Sequence, residues 1–289
     1  MIDFYPSFSP IILEQRRTLH PLFKDLEEGI SEFTFAGIYL FRNIYDYKVA
    51  KIKDLYIFEG REKGKKFFCS PFGLPEEEVL NELFEKYDYL KNASERQANL
   101  LKDKGFEVFE DRDNFDYIYK REDLANLKGK IYHKKRNLIA QFKKNYSYEA
   151  KPLLKKYLKD AFTILDEWSK NKDLGDYESS KEALTLMEEL QLCGIIYYVN
   201  GSPSAYVLGE ENQRGKSFVV SFEKAIEEYK GLYQFINKSF AEILPSKYEF
   251  INREQDLGLE NLRKAKLSYK PFGFIKKFKI FKKNFLNKI

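Results

Sequence analysis

Apolar and polar positions divide the chain into two passes through a similar series of elements. In the first pass, residues 12–29 (ILEQRRTLHPLFKDLEEG) show helical spacing that Pro21 is expected to break. Strand-like runs follow at 33–41 (FTFAGIYLF), 49–60 (VAKIKDLYIFEG) and 65–73 (KKFFCSPFG). A helix is predicted over 75–90, where Pro75 and three glutamates suit a helix amino end. Another is predicted over 93–105, with Ser94 as cap and Gly105 as stop. Residues 106–120 alternate like a closing pair of strands.

The second pass opens on a basic stretch over 128–151, with Ile131, Leu138, Ile139, Phe142 and Tyr146 on one helical stripe. Lys135 falls inside that stripe, so its ammonium must snorkel out or point into a polar cleft. A strand at 147–154, a helix at 155–172 and a helical stretch at 180–192 come next. Asn200-Gly201 joins two strand-like runs and is the strongest short hairpin signal in the chain. A strand at 216–225 and a helix at 231–244 lead into residues 248–274. There Tyr248 to Ile251 reads as a buried strand, Asn252 to Asp256 as a polar elbow, and Leu259 onward as an amphipathic helix. Ligands collect outside the carboxyl ends of strands in open α/β sheets, so the elbow is a candidate site. A hairpin feeding β-α-β-α-β is neither a doubly wound sheet nor a helical bundle; it indicates an α+β fold. The halves divide as 1–128 and 129–289.

Length and composition narrow the class. The 289 residues suffice for two ordinary domains, and 26 Phe with 21 Tyr indicate a well-packed core. No apolar run approaches the roughly 20 residues of a membrane span. The amino terminus lacks a signal-peptide pattern, and two cysteines form no disulfide framework, which points to the cytoplasm. Net charge is only +5, but residues 128–151 carry eight Lys or Arg against one acid. The tail from Lys270 carries seven Lys and no acid. It reads as a final strand; Phe274, Phe278, Phe281 and Phe285 would also fit one helical face that could meet an anionic membrane surface or RNA. No P-loop, dinucleotide fingerprint, serine-hydrolase elbow or metal-ligand cluster is present.

Asn261, Ala265, Tyr269, Gly273 and Phe274 stand close to the Asn…Ala…Tyr…Gly-Phe pattern that ends many GNAT N-acyltransferase domains. With residues 132–137 (YHKKRN), 252–258 and 263–269, they make the whole chain resemble the C-terminal domain of phosphatidylglycerol lysyltransferase, and more distantly the Fem-type peptidoglycan aminoacyltransferases. The resemblance implies a tandem GNAT fold and an acyl- or aminoacyltransferase. It implies aminoacyl-tRNA as donor in preference to CoA, an amine or hydroxyl acceptor, and at most peripheral contact with an anionic lipid membrane. The chain departs from CoA-dependent GNAT domains at their phosphate loop. Gly231 is retained, but Tyr233 replaces a small residue and Glu227 and Glu228 precede it.

Acyl transfer needs a base and a stabiliser of the tetrahedral oxyanion. Glu254 and Asp256 are candidates for the first role and Arg253, Arg263 and Lys266 for the second; a salt-bridge network pinning the elbow is the structural alternative. Lys134, Lys135, Arg136, Asn137 and Gly231 are candidate carrier or phosphate contacts. A non-catalytic GNAT-like module that binds RNA or an anionic surface is the alternative for the whole protein.

Overall fold

A computed structural model describes residues 1–170 and 175–283. In chain order the elements are β1 (Ser9–Pro10), α1 (Arg16–Lys24), α2 (Phe35–Leu40), α3 (Arg42–Tyr45), β2 (Lys48–Ile52), β3 (Leu55–Glu62), β4 (Lys65–Cys69), α4 (Glu77–Lys86), β5 (Tyr89–Ala93), α5 (Glu95–Asp103) and β6 (Glu107–Glu110). They continue as β7 (Asp116–Lys120), α6 (Arg121–Asn126), α7 (His133–Asn145), β8 (Tyr148–Pro152), α8 (Leu158–Ser169), α9 (Tyr177–Thr185), β9 (Cys193–Val199), β10 (Ser202–Asn212), β11 (Ser217–Ala225), α10 (Leu232–Ile243), β12 (Phe250–Asn252), α11 (Glu260–Leu267), β13 (Gly273–Ile275) and β14 (Phe278–Phe281). Two mixed sheets of seven strands result, ordered β1-β2-β3-β4-β5-β14-β6 and β13-β7-β12-β11-β10-β9-β8.

Two compact units form, and the chain passes between them more than once. The first comprises Met1–Asp116, Gln255–Glu260 and the residues from Phe274 onward; the second comprises Tyr117–Glu254 and Asn261–Gly273. A sequence division at 128/129 differs from this because strand exchange is invisible to local pattern. Strands β6 and β7, expected to pair with each other, join different sheets: β6 pairs antiparallel with β14, and β7 with β12. The tail is accordingly extended over 278–281, and Phe285 lies outside the described residues.

In the first unit, α4 and α5 pack Leu80, Leu83, Phe84, Ala98 and Leu101 against Ile57, Phe68, Leu90 and Ile280 of the sheet. The predicted Ser94 cap is present, its hydroxyl accepting from Gln97 N at 3.3 Å. Three expectations fail here. Residues 35–40 are helical, not extended, because Thr34 caps them and nearly every side chain is buried, which removes the periodicity that would reveal a helix. Helix α1 runs through Pro21, held by buried Leu19 and Phe23 despite the missing amide. The predicted helix at 75–90 stops at Lys86, and Tyr89 and Leu90 begin β5 instead. The returning carboxy-terminal residues are anchored by fully buried Lys277. Its ammonium pairs with Asp116 at 2.7 Å and with Glu32, and Ser31 donates N–H and O–H to Asp116 at 2.8 Å each.

In the second unit, β9 and β10 form the predicted hairpin. Asn200 and Gly201 turn it with φ of 50° and 81°, the left-handed pair that a tight two-residue turn requires. Helices α6, α7 and α10 bury Leu124, Ile139, Phe142, Phe235, Ile236 and Phe240 against Tyr197, Val207 and Phe218. Phe142 and Phe235 stack at 4.8 Å and tie α7 to α10.

Candidate functional site

Strands β11 and β12 run parallel but stay in register for only three pairs, Ser217↔Phe250, Phe218↔Ile251 and Val219↔Asn252. β11 then continues to Ala225 while β12 ends at Asn252, so their carboxyl ends part. A parallel pair that opens presents its edge groups to a ligand, as carboxyl ends of strands do in α/β sheets.

Arg253, the first residue past β12, fills the opening. Its guanidinium lies 3.0 and 3.3 Å from the two carboxylate oxygens of Glu223, with only 14 % and 15 % of the two side chains exposed. Asn237 of α10, with its amide oxygen turned toward Arg253, accepts from the same guanidinium at 2.8 Å. Burial opposes the Arg253 charge, but Glu223, with Tyr119 and Tyr269, outweighs burial and holds its pKa above the ordinary arginine value.

The ring of Tyr269, just past α11, joins the basic helix to the elbow. The Arg253 guanidinium carbon lies 5.2 Å from the ring centre and the Lys135 ammonium 4.1 Å. Lys135 is half-buried there, and among the described residues no carboxylate pairs with it. Burial, and then the nearby Arg253 charge, push its pKa below the ordinary lysine value. The ammonium therefore lies over the Tyr269 ring, on the side of the stripe nearest Arg253. Burial pushes the Tyr269 phenol well above its usual range, so it stays protonated at neutral pH.

The other expected site residues divide by what they touch. Glu254 is half-exposed and sits at φ 54°, a strained conformation for a residue with a side chain. Its N–H donates to Asn252 Oδ1 at 2.8 Å, and its carbonyl accepts from Tyr117 N at 3.2 Å. Lys266 is buried and donates to the carbonyls of Arg253 at 2.6 Å and Glu254 at 3.0 Å, so it clamps the elbow backbone. Asp256 belongs to the first unit and is fully buried; it takes Arg112 at 3.2 Å and accepts from Gly258 N at 2.9 Å. Arg263 is half-buried on α11. Lys134 and Asn137 are exposed on α7, the Asn137 amide 3.5 Å from His133 Nδ1. Arg136 instead donates to the carbonyls of Leu127 at 2.5 Å and Gly129 at 2.7 Å, which caps the end of α6.

Gly231 precedes α10 at φ 90°, and a Cβ there would lie 2.5 Å from the Leu138 carbonyl oxygen of α7. Glycine is required there by both conformation and contact. Tyr233, on the first turn, donates to Ala225 O at 3.3 Å, and burial raises its pKa to about 12. The amino end of α10 is therefore packed against α7 and β11.

A second polar group, unmarked in the sequence, lies on the other side of β11. Adjacent strand residues face opposite ways. Glu223 meets Arg253 and α10, whereas Lys224 meets Asp176 at 2.6 Å and the ring of Trp168 on α8 at 3.6 Å. Burial lowers the Lys224 pKa, and Asp176, Glu254 and Glu223 oppose it only in part. That Trp168 is the sole tryptophan was a signal available in advance; its partner Lys224 left none.

Two mixed seven-stranded sheets flanked by helices, each holding a parallel pair (β4–β5 and β11–β12), define a tandem GNAT fold. A tandem GNAT protein of clavulanic acid biosynthesis shares it, with TM-score 0.53 and 8 % identity over 96 % of this chain and 98 % of that one. The chain belongs to the phosphatidylglycerol lysyltransferase C-terminal family, whose model matches residues 23–281. L-PGS of Bacillus licheniformis aligns with TM-score 0.58 and 16 % identity over 83 % of this chain and 85 % of that one. A conserved protein of unknown function from Bacteroides thetaiotaomicron aligns with TM-score 0.87 and 32 % identity over 98 % of this chain and all of that one. An uncharacterized protein of Mycoplasmoides gallisepticum is 26 % identical over 171 residues, which are 56 % of this chain; the chain spans only 54 % of that curated relative. Among the described residues no helix is long and apolar enough to cross a membrane.

Proposed function

We propose that this protein transfers an acyl group, carried as an ester on aminoacyl-tRNA, to an amine or hydroxyl acceptor. One observation carries the reading: Lys135, a half-buried cation with no acid partner among the described residues, shares the Tyr269 ring with Arg253 at the opening between β11 and β12. A cation left uncompensated beside a paired one is a seat for an anion. Carrier phosphate would sit on Lys135, with Lys134, Asn137 and Arg263 along its approach. CoA is disfavoured because the amino end of α10 is packed against Leu138 of α7 and Ala225 of β11, where a pyrophosphate would have to lie.

In the reaction the acceptor nitrogen or oxygen attacks the ester carbonyl carbon, and Glu254 takes the proton that the acceptor loses. Arg253 stabilises the oxyanion. As the bond from carbonyl carbon to carrier oxygen breaks, the protonated Glu254 gives its proton to that oxygen, which leaves as the carrier hydroxyl and restores the base. Lys266 holds the backbone of Arg253 and Glu254 in place. Asp256, fully buried, has no part in the proton transfer. Work in the cytoplasm, with peripheral contact to an anionic membrane where the acceptor is a lipid, suits this reading.

The fluorescence of Trp168 gives the test. Titration with a charged-tRNA analogue at low salt should change it, CoA should not, and Lys135→Ala should weaken the tRNA response at least ten-fold. Binding that persists with no transfer to any amine or hydroxyl, and is indifferent to Glu254→Gln, would favour a non-catalytic RNA-binding module. No response to tRNA ends the proposal.

A further inference from the structure

We propose that Asn237 is the positioning residue of this centre: its neutral amide holds the Arg253 guanidinium so that the N–H groups not taken by Glu223 face the acyl carbonyl oxygen. The proposal rests on the acyl-transfer reading, in which Arg253 stabilises the oxyanion. Helix α10 buries Leu232, Phe235, Ile236, Phe240 and Ala241, and Asn237 is the polar member of the same buried set, 6 % exposed. A buried amide costs stability unless a partner offsets its desolvation, and Arg253 is that partner.

The shape of the contact shows what it leaves open. The Asn237 amide oxygen lies 2.8 Å from Nη1, 3.2 Å from Nη2 and 3.3 Å from Nε of Arg253. An acceptor in the guanidinium plane comes this close to two of those nitrogens at most, so the oxygen sits over the face of the group. Glu223 is met by Nη2, at 3.0 and 3.3 Å. Of the five N–H groups, those on Nε and Nη1 thus have no carboxylate partner among the described residues. The ring centres of Tyr269 and Tyr119, 5.2 and 5.9 Å from the guanidinium carbon, fix the group further.

The neutrality of Asn237 matters as much as its position. Arg253 and Glu223 offset each other, and Lys135 is the surplus cation of the centre. A second carboxylate over the guanidinium would cancel that surplus and oppose a developing oxyanion. An amide oxygen orients the guanidinium through its dipole and leaves the charge balance unchanged. An apolar side chain would fill the space and let the guanidinium turn toward Glu223.

The experiment titrates two adenosine 3′ derivatives against the full chain by calorimetry. One is a planar alanyl amide, and the other is the tetrahedral, anionic phosphonate ester that mimics the oxyanion. The unaltered protein should bind the phosphonate at least about ten-fold more tightly than the planar analogue. Asn237→Leu should bring that ratio to about three-fold or less while the planar analogue still binds. Asn237→Asp keeps an oxygen over the guanidinium and should lose the preference too, because the added charge cancels Lys135. A preference retained in a folded Asn237→Leu protein overturns the proposal by reducing Asn237 to packing. Retention in Asn237→Asp overturns it as well, and decides the matter alone if Asn237→Leu does not fold. Equal binding of both derivatives by the unaltered protein overturns the proposal while leaving carrier binding standing. Binding of neither removes the acyl-transfer reading itself.

Discussion

The ammonium of Lys135 lies 4.1 Å from the centre of the Tyr269 ring, and the Arg253 guanidinium approaches the same ring at 5.2 Å. Helix α7, the elbow after β12 and the end of α11 thus meet on one aromatic side chain. Of these cations only Arg253 has a carboxylate partner among the described residues, and this asymmetry gives the site its net positive character.

Neighbouring basic residues on α7 should therefore behave differently. Lys135→Ala should weaken tRNA binding at least ten-fold, with little change in thermal midpoint. Arg136→Ala removes the cap on Leu127 and Gly129 and should cost about 1–2 kcal/mol of stability. Binding titrations and melts on the two variants distinguish the roles; the reverse pattern would refute the assignment.

The Lys135 pKa is lowered on folding, which fixes the sign of a pH effect. The unfolded chain holds this proton to higher pH than the native one, so between the two pKa values this group's contribution to stability rises with pH. Anion binding by Lys135 moves the other way and should fail on the alkaline side below the ordinary lysine range. Lys135→Arg should shift that limb upward in a pH series of tRNA affinity; an unmoved limb would exclude Lys135 as the anion contact.

Arg253→Met strands Glu223 in a site where only 15 % of its side chain is exposed. Breaking such a pair costs about 3–5 kcal/mol, and replacing both partners recovers much of it. Denaturant melts of Arg253→Met and of Arg253→Met with Glu223→Leu should show that recovery. Additive losses would mean that the pair contributes no mutual stabilisation.

Gly231→Ala places a Cβ 2.5 Å from the Leu138 carbonyl at φ 90°. Destabilisation of about 2 kcal/mol or more is expected from the left-handed conformation plus the clash. Chemical denaturation measures it. Intact stability together with lost tRNA affinity would instead make Gly231 a ligand contact.

Glu254→Gln should abolish transfer with tRNA binding retained, because the elbow is held by backbone contacts that the substitution leaves in place. Asp256→Asn should lower stability instead, since its carboxylate is fully buried against Arg112. Transfer assays beside thermal melts of both variants separate the two roles; loss of transfer in Asp256→Asn at unchanged stability would return Asp256 to the chemistry.

The local pattern by itself determined the paired series of elements, the Asn200-Gly201 hairpin, the Ser94 cap and the elbow after β12, since these depend on neighbours within a few residues. It also marked Lys135 as a cation inside an apolar stripe. Only the tertiary structure decided which strands exchange, because β14 enters between β5 and β6 through hydrogen bonds to residues far away in sequence. It likewise committed Arg136 to backbone carbonyls and Asp256 to Arg112, and it set Lys224 against Trp168. A charged side chain carries no sequence signal of which charge will face it once both are buried; the fold assigns the partner, and the partner assigns the role.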